Sequence, residues 1–553
     1  MISAKMVAVV LLLSFSVWTL AALPSSNSVA AVENIYVDTE NAYGAISAID
    51  SGLFASYQGK DRRAWAKIYG KKRKELAAAL AKISDKGLSP GDARALAHMR
   101  DLGSLPEDPS HSLEPIGHCS DAPRKDLNYS ALHDALYSCF AEIGDNLQFE
   151  GRRVNREAVF DDLLLQVEQP EKRRALFMAL APMWEAVNGQ NQADSPYRRL
   201  IAMAAANGAK HGTPIDEAAH SIGVSTAEIE HWLEQILETW RQVSPDKMVE
   251  PWDYEYNDGE TERLLDSAIP RFAMEPITRR YYHDLGADLD QLHILDDLNP
   301  RPVKAPVAYT DWITRGRMID GTWHPSQLRI SANYGRGGLG AIDEFIHENG
   351  HAIYYAAIRT RPAFMDTDSL FDEAWADVPA WNVSEPAWQR KYLGREAPES
   401  VSLRDHYSGV MEDVAWALFE VRMLKTPTAD PNAVWTEITS HYLHIIPHPE
   451  WSWWAVRVQL VDEPGYMVNY GLGSVITADI RQHIREALGP FETGDPRWYG
   501  WVSQRLLQYG LERSPAELLK DFLGRPVSPQ ALLNNLQRLG STTKDTKGHE
   551  GSP

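Results

Sequence analysis

The segment His347-Glu348-Asn349-Gly350-His351 has the residue types and spacing of a hydrolytic metal site. On a helix, residues four apart lie on one face, so the two histidines can bind a single metal ion. Glu348 follows the first histidine and can take a proton from a water molecule at the open position of that ion. The pattern predicts the HExxH arrangement of a zinc hydrolase with Glu348 as general base.

The residues around this motif favour a buried metal helix over two exposed histidines that bind nothing. Gly337-Gly338-Leu339-Gly340 precedes the motif and predicts a loop. A catalytic zinc ion also needs a third protein ligand and an open position, so another ligand must come from elsewhere in the chain. The apolar residues that recur at helical spacing are Ile342, Phe345, Ile346, Ile353, Ala356 and Ala357.

The segment from Asp366 to Asp377 supplies candidate carboxylates. It predicts a second helix that begins with a capping box formed by Ser369 and Asp372. Glu373 and Asp377 are four apart and share a helical face. We expect Glu373 to be the third zinc ligand and Asp377 to accept the free ring N–H of a zinc-bound histidine. Taken alone, the same segment also fits an acidic, solvated helix face.

Together these two segments resemble the angiotensin-converting-enzyme family of zinc peptidases. HENGHAIY (His347–Tyr354) is similar to the zinc helix of that family, and FDEAWADVPAWNVSEP (Phe371–Pro386) to its second zinc helix. PGYMVNY (Pro464–Tyr470) is similar to its tyrosine segment, and Arg513–Leu536 to its closing helices. The resemblance covers about residues 335–540 and is faint from 34 to 334.

This resemblance assigns roles to individual residues. It implies that His347, His351 and Glu373 bind Zn²⁺, that Glu348 is the general base and acid, and that the zinc ligands have an outer partner in the second helix, which is Asp377. It also implies that Tyr466 donates a hydrogen bond to the oxyanion formed when water attacks a peptide carbonyl. A phenol O–H aimed at that oxygen stabilises it in a dry cleft.

Several substrate-binding positions of the family are changed in this chain. The family holds the C-terminal carboxylate of its substrate with a lysine, a glutamine and a second tyrosine, whose position is Glu463 here. The second histidine donor of the family is replaced by Val456, and its chloride-binding arginine by Gly465. Release of C-terminal dipeptides and chloride activation are therefore left open. Arg457, the nearest cation, and Tyr470 are the candidate substrate contacts.

A third candidate contact is Tyr254, because Lys247–Tyr254 resembles a Pro-Trp-Asp segment of the related thimet-oligopeptidase family. We predict a zinc peptidase that hydrolyses short peptides in an enclosed cleft, with peptidyl-dipeptidase activity as one mode. The alternatives are an oligoendopeptidase or a carboxypeptidase of the same fold. A further alternative is a catalytically inactive peptide-binding protein.

The predicted fold is mainly α-helical. Apolar periodicity predicts helices over 61–83, 153–166, 170–188, 197–209 and 225–244. Trp323–Tyr334 predicts a strand before the zinc helix, where an edge strand can hold an extended peptide through main-chain hydrogen bonds. The resemblance implies one peptidase domain over residues 31–540, with two lobes, a deep cleft and a small sheet beside the zinc helix. Residues 541–553 are polar and predict a disordered tail.

The remaining features concern the environment of the protein. Lys5 followed by the apolar run Met6–Leu23 predicts a signal peptide over residues 1–30 and export, with an uncleaved membrane anchor as the alternative. Cys119 and Cys139 fit one disulfide of an exported protein or two buried thiols. A net charge of −21 argues against a nucleic-acid partner, and we expect no stable membrane partner.

Overall fold

The computed structural model describes residues 28–101, 117–301, 304 and 307–549. Helices dominate, which confirms the predicted mainly-α class. The first group is α1 (Val29–Asp50), α2 (Arg62–Leu80), α3 (Pro90–Asp101), α4 (Tyr129–Glu142), α5 (Arg156–Ala158), α6 (Leu164–Gln166), α7 (Pro170–Met178), α8 (Ala181–Asn188), α9 (Pro196–His211), α10 (Pro214–Ile222), α11 (Thr226–Val243), α12 (Pro251–Asp258), α13 (Glu260–Leu265) and α14 (Arg271–Asp284).

The second group of helices follows the main sheet and carries the motif residues. It consists of α15 (Leu339–Ala357), α16 (Ser369–Ala380), α17 (Pro386–Leu393), α18 (Glu399–Lys425), α19 (Pro431–Tyr442), α20 (Gln459–Asp462), α21 (Met467–Leu488), α22 (Trp498–Val502), α23 (Pro515–Leu523) and α24 (Gln530–His549). Within the described ranges, none of the helices has the length and apolarity that crossing a membrane requires.

Three small sheets accompany the α-helices. Their strands are β1 (Leu147–Phe149), β2 (Arg152–Val154), β3 (Ile294–Asp297), β4 (Tyr309–Thr314), β5 (Arg317–Ile319), β6 (Thr322–His324) and β7 (Gln327–Ser331). β1 and β2 form one hairpin and β5 and β6 another, while the main sheet has the order β3-β7-β4. β7 is therefore its central strand, parallel to β3 and antiparallel to β4. The edge strand β4 lies beside α15, so the small sheet is next to the zinc helix, as predicted.

The predicted elements differ from the observed ones at turns and prolines. The helix expected over 153–166 starts late because Glu150 and Gly151, both at positive φ, turn the chain into the β1–β2 hairpin. The helix expected over 170–188 breaks after Met178, and Pro182 lacks the N–H that would bond the carbonyl of that residue. Pro325 similarly divides the strand expected over Trp323–Tyr334 into β6 and β7.

The structure describes the N-terminal end of the chain from residue 28 and the C-terminal end up to residue 549. α24 continues to His549. The disordered tail expected over residues 541–553 stays a prediction. Residues 1–27 lie outside the described residues, and Ser28 caps α1. The signal peptide and the membrane anchor stay predictions. A disulfide joins Cys119, in the turn before α4, to Cys139 within α4.

Close packing of α15 on α16 brings the two motif segments together. A Cβ atom at Gly350 would lie 2.7 Å from both the Cα and the carbonyl oxygen of Ala376, so a side chain there would push the helices apart. The Trp375 indole also donates a hydrogen bond to the carbonyl of Gly350. Behind α16, the Thr477 hydroxyl of α21 donates to the carbonyl of Ala374. The glycine within the histidine motif thus fixes the distance between the two helices.

Candidate metal centre and cleft

The two histidines of α15 and one carboxylate of α16 converge on one point. The Nε2 atoms of His347 and His351 lie 3.1 Å apart. Oε2 of Glu373 lies 3.4 Å from Nε2 of His347 and 3.9 Å from Nε2 of His351. These three are the group of described residues whose ligand atoms could share one metal ion. Their convergence is the geometry that the sequence predicted for the three zinc ligands.

The spacing of these three atoms fits zinc. Tetrahedral zinc with ligands at about 2.0–2.1 Å keeps its ligand atoms about 3.3 Å apart. Two nitrogens and one carboxylate oxygen are a donor set of catalytic zinc sites, in which the fourth position is left to water. His351 is buried and the other two side chains are partly buried, so the ligands open onto solvent on one side. The residues present therefore fit a catalytic zinc ion.

Each histidine is oriented by a carboxylate on its other ring nitrogen. Nδ1 of His347 lies 2.8 Å from Oδ1 of Asp377, where the sequence placed an outer partner. Nδ1 of His351 lies 2.7 Å from Oδ1 of Asp372. Such partners hold the N–H on Nδ1 and leave Nε2 free to bind metal. The Tyr355 hydroxyl donates to the second oxygen of Asp372, which fixes that carboxylate in turn.

The role of Asp372 corrects the predicted capping box. The residue that caps α16 is Asp368, whose Oδ1 accepts a hydrogen bond from the backbone N–H of Phe371. Asp372 instead faces His351, because a residue one turn into α16 points toward α15. A signal for it was present in the sequence: two histidine ligands require two outer acceptors, and the second helix carries three carboxylates, at Asp372, Glu373 and Asp377.

We expect the Asp372→Asn variant to bind zinc about 10- to 100-fold more weakly than the wild type. An amide N–H₂ in place of one oxygen opposes the donors around it, so the orientation of His351 is lost. The measurement is a zinc competition titration against a fluorescent chelator. Asp368→Asn is the matched control, because asparagine caps a helix as well as aspartate does and touches no ligand. An unchanged zinc affinity in Asp372→Asn would contradict the assigned role.

The surrounding carboxylates favour positive charge at the site. Burial lowers the pKa of His347, but Asp377 and Glu373 outweigh it and raise that pKa well above its ordinary value. Burial also lowers the pKa of His351, and Asp372 offsets this and raises it to about 8. Burial raises the pKa of Glu373, yet the two histidines bring it below its ordinary value. A metal ion must displace protons here, so its affinity falls as the pH is lowered.

Glu348 lies at the metal group and is held by the edge strand. Its side chain is buried, and its Oε2 accepts a hydrogen bond of 2.6 Å from the Thr310 hydroxyl of β4. The same hydroxyl lies 2.9 Å from the backbone carbonyl of Glu348. Thr310 was missed in the sequence, because β4 was not predicted as a strand. Its hydroxyl links the edge strand directly to the expected general base.

Tyr466 reaches the metal group from the turn before α21. Its hydroxyl donates a hydrogen bond of 3.2 Å to Oε1 of Glu373. Burial, followed by the charge of Glu373, raises the pKa of Tyr466 above its ordinary value. The phenol therefore keeps its proton at neutral pH and can donate it in a hydrogen bond. The Tyr470 ring packs against Tyr466 at 5.7 Å in a T-shaped arrangement.

These residues line one cleft with a volume of about 1200 Å³. Val307, Ala308, Tyr309 and Thr310 form one wall at the start of β4. Carboxylates outnumber arginines along the cleft, which favours metal ions and cationic groups over anionic ones. The lining carboxylates are Asp343, Glu344, Glu348, Asp372, Glu373, Asp377, Asp413, Asp462 and Glu463, and the lining arginines are Arg156 and Arg457.

Of the three candidate substrate contacts, the structure places two in the cleft. Arg457 and Tyr470 line it, whereas Tyr254 is buried elsewhere with its hydroxyl bonded to Ser408. Tyr254 is thus not a substrate contact in this structure, because α12 turns its side chain toward α18. Arg457 is held between the Asp413 carboxylate and the Trp416 ring, 4.5 Å from the ring centre. Its guanidinium remains partly exposed to the cleft.

Comparison with known proteins gives a fold but no family. No protein-family profile matches the chain, and no curated protein matches its sequence. An M32 carboxypeptidase from Deinococcus radiodurans R1 has a similar structure, with a TM-score of 0.55 and 15% identity over 93% of this chain and 98% of its own. Trypanosoma cruzi metallocarboxypeptidase 1 is also similar, with a TM-score of 0.51 and 15% identity over 92% of this chain and 99% of its own.

At this identity the likeness establishes the helical fold over nearly the whole chain. It confirms the predicted mainly-α architecture of a helical peptidase fold. The resemblance to the angiotensin-converting-enzyme family receives no support of its own from the comparisons, and the division into two lobes stays a prediction.

Proposed function

We propose that this protein is a zinc-dependent peptidase that removes residues from the C-terminus of short peptides. The observation that carries the proposal is the convergence of His347, His351 and Glu373 at the spacing of tetrahedral zinc, with Glu348 in the same cleft. The similar folds of a metallocarboxypeptidase and an M32 carboxypeptidase support the same chemistry. They also favour the carboxypeptidase mode over the peptidyl-dipeptidase mode.

The bound zinc ion would supply Lewis acidity, which polarises a peptide carbonyl and makes water more acidic. The protein supplies the remaining groups. Glu348 takes a proton from the attacking water and gives it to the leaving amine. The Tyr466 hydroxyl donates to the oxygen on which negative charge develops. Burial of these groups strengthens each interaction, because little water competes with it.

The edge strand β4 is the proposed support for the substrate backbone. Tyr309 and Thr310 line the cleft at the start of this edge strand, and the Thr310 hydroxyl contacts Glu348. An extended peptide that pairs with a sheet edge is held through its main chain, which suits substrates of varied sequence. The strand that serves this purpose is β4 rather than the one expected over Trp323–Tyr334, because β7 is covered on both sides by other strands.

Arg457 is the proposed partner of the C-terminal carboxylate of the substrate. Arginine binds carboxylates through two parallel hydrogen bonds. Arg457 and its neighbour Asp413 line the same cleft as the metal group. Asp413 and Trp416 hold its guanidinium in place before substrate arrives. A cation at this position favours cleavage next to a free C-terminus.

The mode of cleavage is tested with one peptide in two forms, with a free and with an amidated C-terminus. We expect single residues to be released in order from the free form, with the products followed by mass spectrometry. Release of dipeptides would identify a peptidyl-dipeptidase, and internal cuts in both forms an oligoendopeptidase. Zinc binding without turnover of a mixed peptide library would establish the inactive peptide-binding alternative and overturn the proposal.

We expect Arg457→Gln to lower kcat/KM on the free peptide by about 10- to 100-fold, since a charged hydrogen bond contributes about 1.5–3 kcal/mol. The slow cleavage of the amidated peptide should change little. The ratio of the two rates, measured in the same assay, therefore falls toward one. Arg156→Gln, on another part of the cleft wall, is the matched control and should preserve the ratio. Equal losses on both peptides in Arg457→Gln would exclude it as the carboxylate partner.

A further inference from the structure

We infer that Glu420 is a positioning residue for Tyr466, acting on the reaction without touching the substrate. This inference rests on the proposed function, in which the Tyr466 hydroxyl stabilises the oxyanion. Glu420 lies on α18, and its side chain is fully buried. It is absent from the lining of the cleft. Any effect it has on catalysis must therefore pass through another residue.

The two oxygens of Glu420 bind the backbone on either side of Tyr466. Oε1 accepts a hydrogen bond of 2.8 Å from the N–H of Gly465. Oε2 accepts one of 2.8 Å from the N–H of Met467. One rigid carboxylate thus holds the residues before and after the tyrosine, which limits how its backbone can rotate. The direction of the Tyr466 side chain follows from that backbone.

Among the described residues, the one at the cap position of α21 provides no side-chain cap of its own. Met467 is the first residue of α21, and Tyr466, at the cap position, offers no side-chain hydrogen bond to the N–H groups that follow. The first N–H groups of a helix lack partners within it, and a carboxylate there also meets the positive end of the helix dipole. Glu420 supplies from α18 the cap that the local sequence does not provide.

The conformation of Gly465 explains why this turn needs an external support. Its φ of +107° belongs to the region that favours glycine, and glycine restricts the backbone least. A Cβ atom there would lie 3.2 Å from Leu424 and 3.3 Å from Pro214, so a stiffer residue would be strained and crowded at this position. A permissive residue directly before Tyr466 leaves the direction of its side chain to outside contacts.

The chemical nature of Glu420 points to more than packing. Burial raises the pKa of this carboxyl while the N–H groups of Gly465 and Met467 lower it, so the fold tolerates an unfavourable group at this position. An apolar side chain of similar volume would fill the same space at lower cost. What an apolar side chain cannot do is accept two N–H groups at once. The role of Glu420 is therefore to accept hydrogen bonds from the backbone N–H groups of Gly465 and Met467 at the same time.

A double-mutant cycle with Glu420→Gln and Tyr466→Phe tests the inference. We expect Tyr466→Phe to lower kcat about 100-fold, as removal of an oxyanion donor does. Glu420→Gln keeps one acceptor and should lower kcat about 10-fold with KM unchanged, since misplacement by about 1 Å can cost up to about 100-fold. The double variant should be no slower than Tyr466→Phe alone. Losses that multiply, or an unchanged kcat in Glu420→Gln, would overturn the inference.

A second measurement does not depend on activity. Hydrogen exchange of the peptide that spans residues 464–470 should be at least about 10-fold faster in Glu420→Gln, because one of its two N–H acceptors is lost. Unchanged exchange would also overturn the inference. If Glu420→Gln fails to fold, Glu420→Asp takes its place in both experiments, since it keeps the acid and shortens its reach. An inactive wild type would refute the proposed function, while the exchange result would still decide the contact.

Discussion

Glu348→Gln is expected to lower kcat by about 10³-fold while zinc stays bound. A positioned general base contributes about 10²–10⁴-fold, and glutamine cannot take a proton from water. The substitution changes neither the size of the side chain nor the zinc ligands. The Thr310 hydroxyl can still donate to the amide oxygen of glutamine, so the local structure is retained. Turnover of a free peptide by the zinc-loaded variant provides the measurement.

The control for this variant is its zinc content, determined by atomic spectroscopy on the same preparation. A loss of activity with a full complement of zinc assigns the loss to proton transfer. Activity above a tenth of the wild-type value would refute Glu348 as the general base. The other carboxylates at the metal group cannot replace it, because Asp372 and Asp377 are bound to the Nδ1 atoms of the two histidines.

Glu373→Gln is expected to weaken zinc binding by more than about 100-fold. Loss of an outer partner of a ligand weakens binding by up to about that factor, and here a direct ligand loses its charge. Glutamine also keeps only one oxygen, which cannot serve both the metal and the Tyr466 hydroxyl. The variant should lose activity because it loses zinc. In the wild type, chelation should abolish the activity and added zinc should restore it. Isothermal titration of the apo protein with zinc measures the affinity.

Thermal unfolding gives an independent test of the same variant. A ligand present at about 100 times its Kd stabilises the folded state by about 2.7 kcal/mol. Zinc should therefore raise the Tm of the wild type and of the control Glu344→Gln, which changes a carboxylate of the same cleft. The Tm of Glu373→Gln should hardly respond. A Tm that rises equally in all three proteins would place the metal elsewhere.

Some parts of the site could be read from the sequence because they depend on local geometry. A helix places residues four apart on one face whatever surrounds it, so the histidine motif and its zinc ion could be predicted from spacing. Asp377 could be predicted in the same way, from its distance to Glu373. Tyr466 came only from a resemblance, and its hydroxyl now lies 3.2 Å from Glu373.

Other parts could not be predicted, because they depend on elements that are distant in sequence. Thr310 meets Glu348 only because β4 pairs with β7 and lies against α15. The sequence predicts a capping role for Asp372, because capping a helix and supporting a metal ligand both use a carboxylate and differ only in where the neighbouring helix lies. A short resemblance predicts Tyr254 as a substrate contact, but the direction of α12 buries its side chain against α18.

The sequence by itself determined the helical class and the metal-binding chemistry and predicted the general base, because periodicity and spacing within one helix encode them. Only the tertiary structure decided which carboxylate serves which histidine, which strand borders the cleft, and how Arg457 is held in it. It also decided that Glu420, forty-five residues before Gly465, caps the turn of Tyr466. Those choices are made by helix packing, and packing is a property of the whole chain rather than of any segment of it.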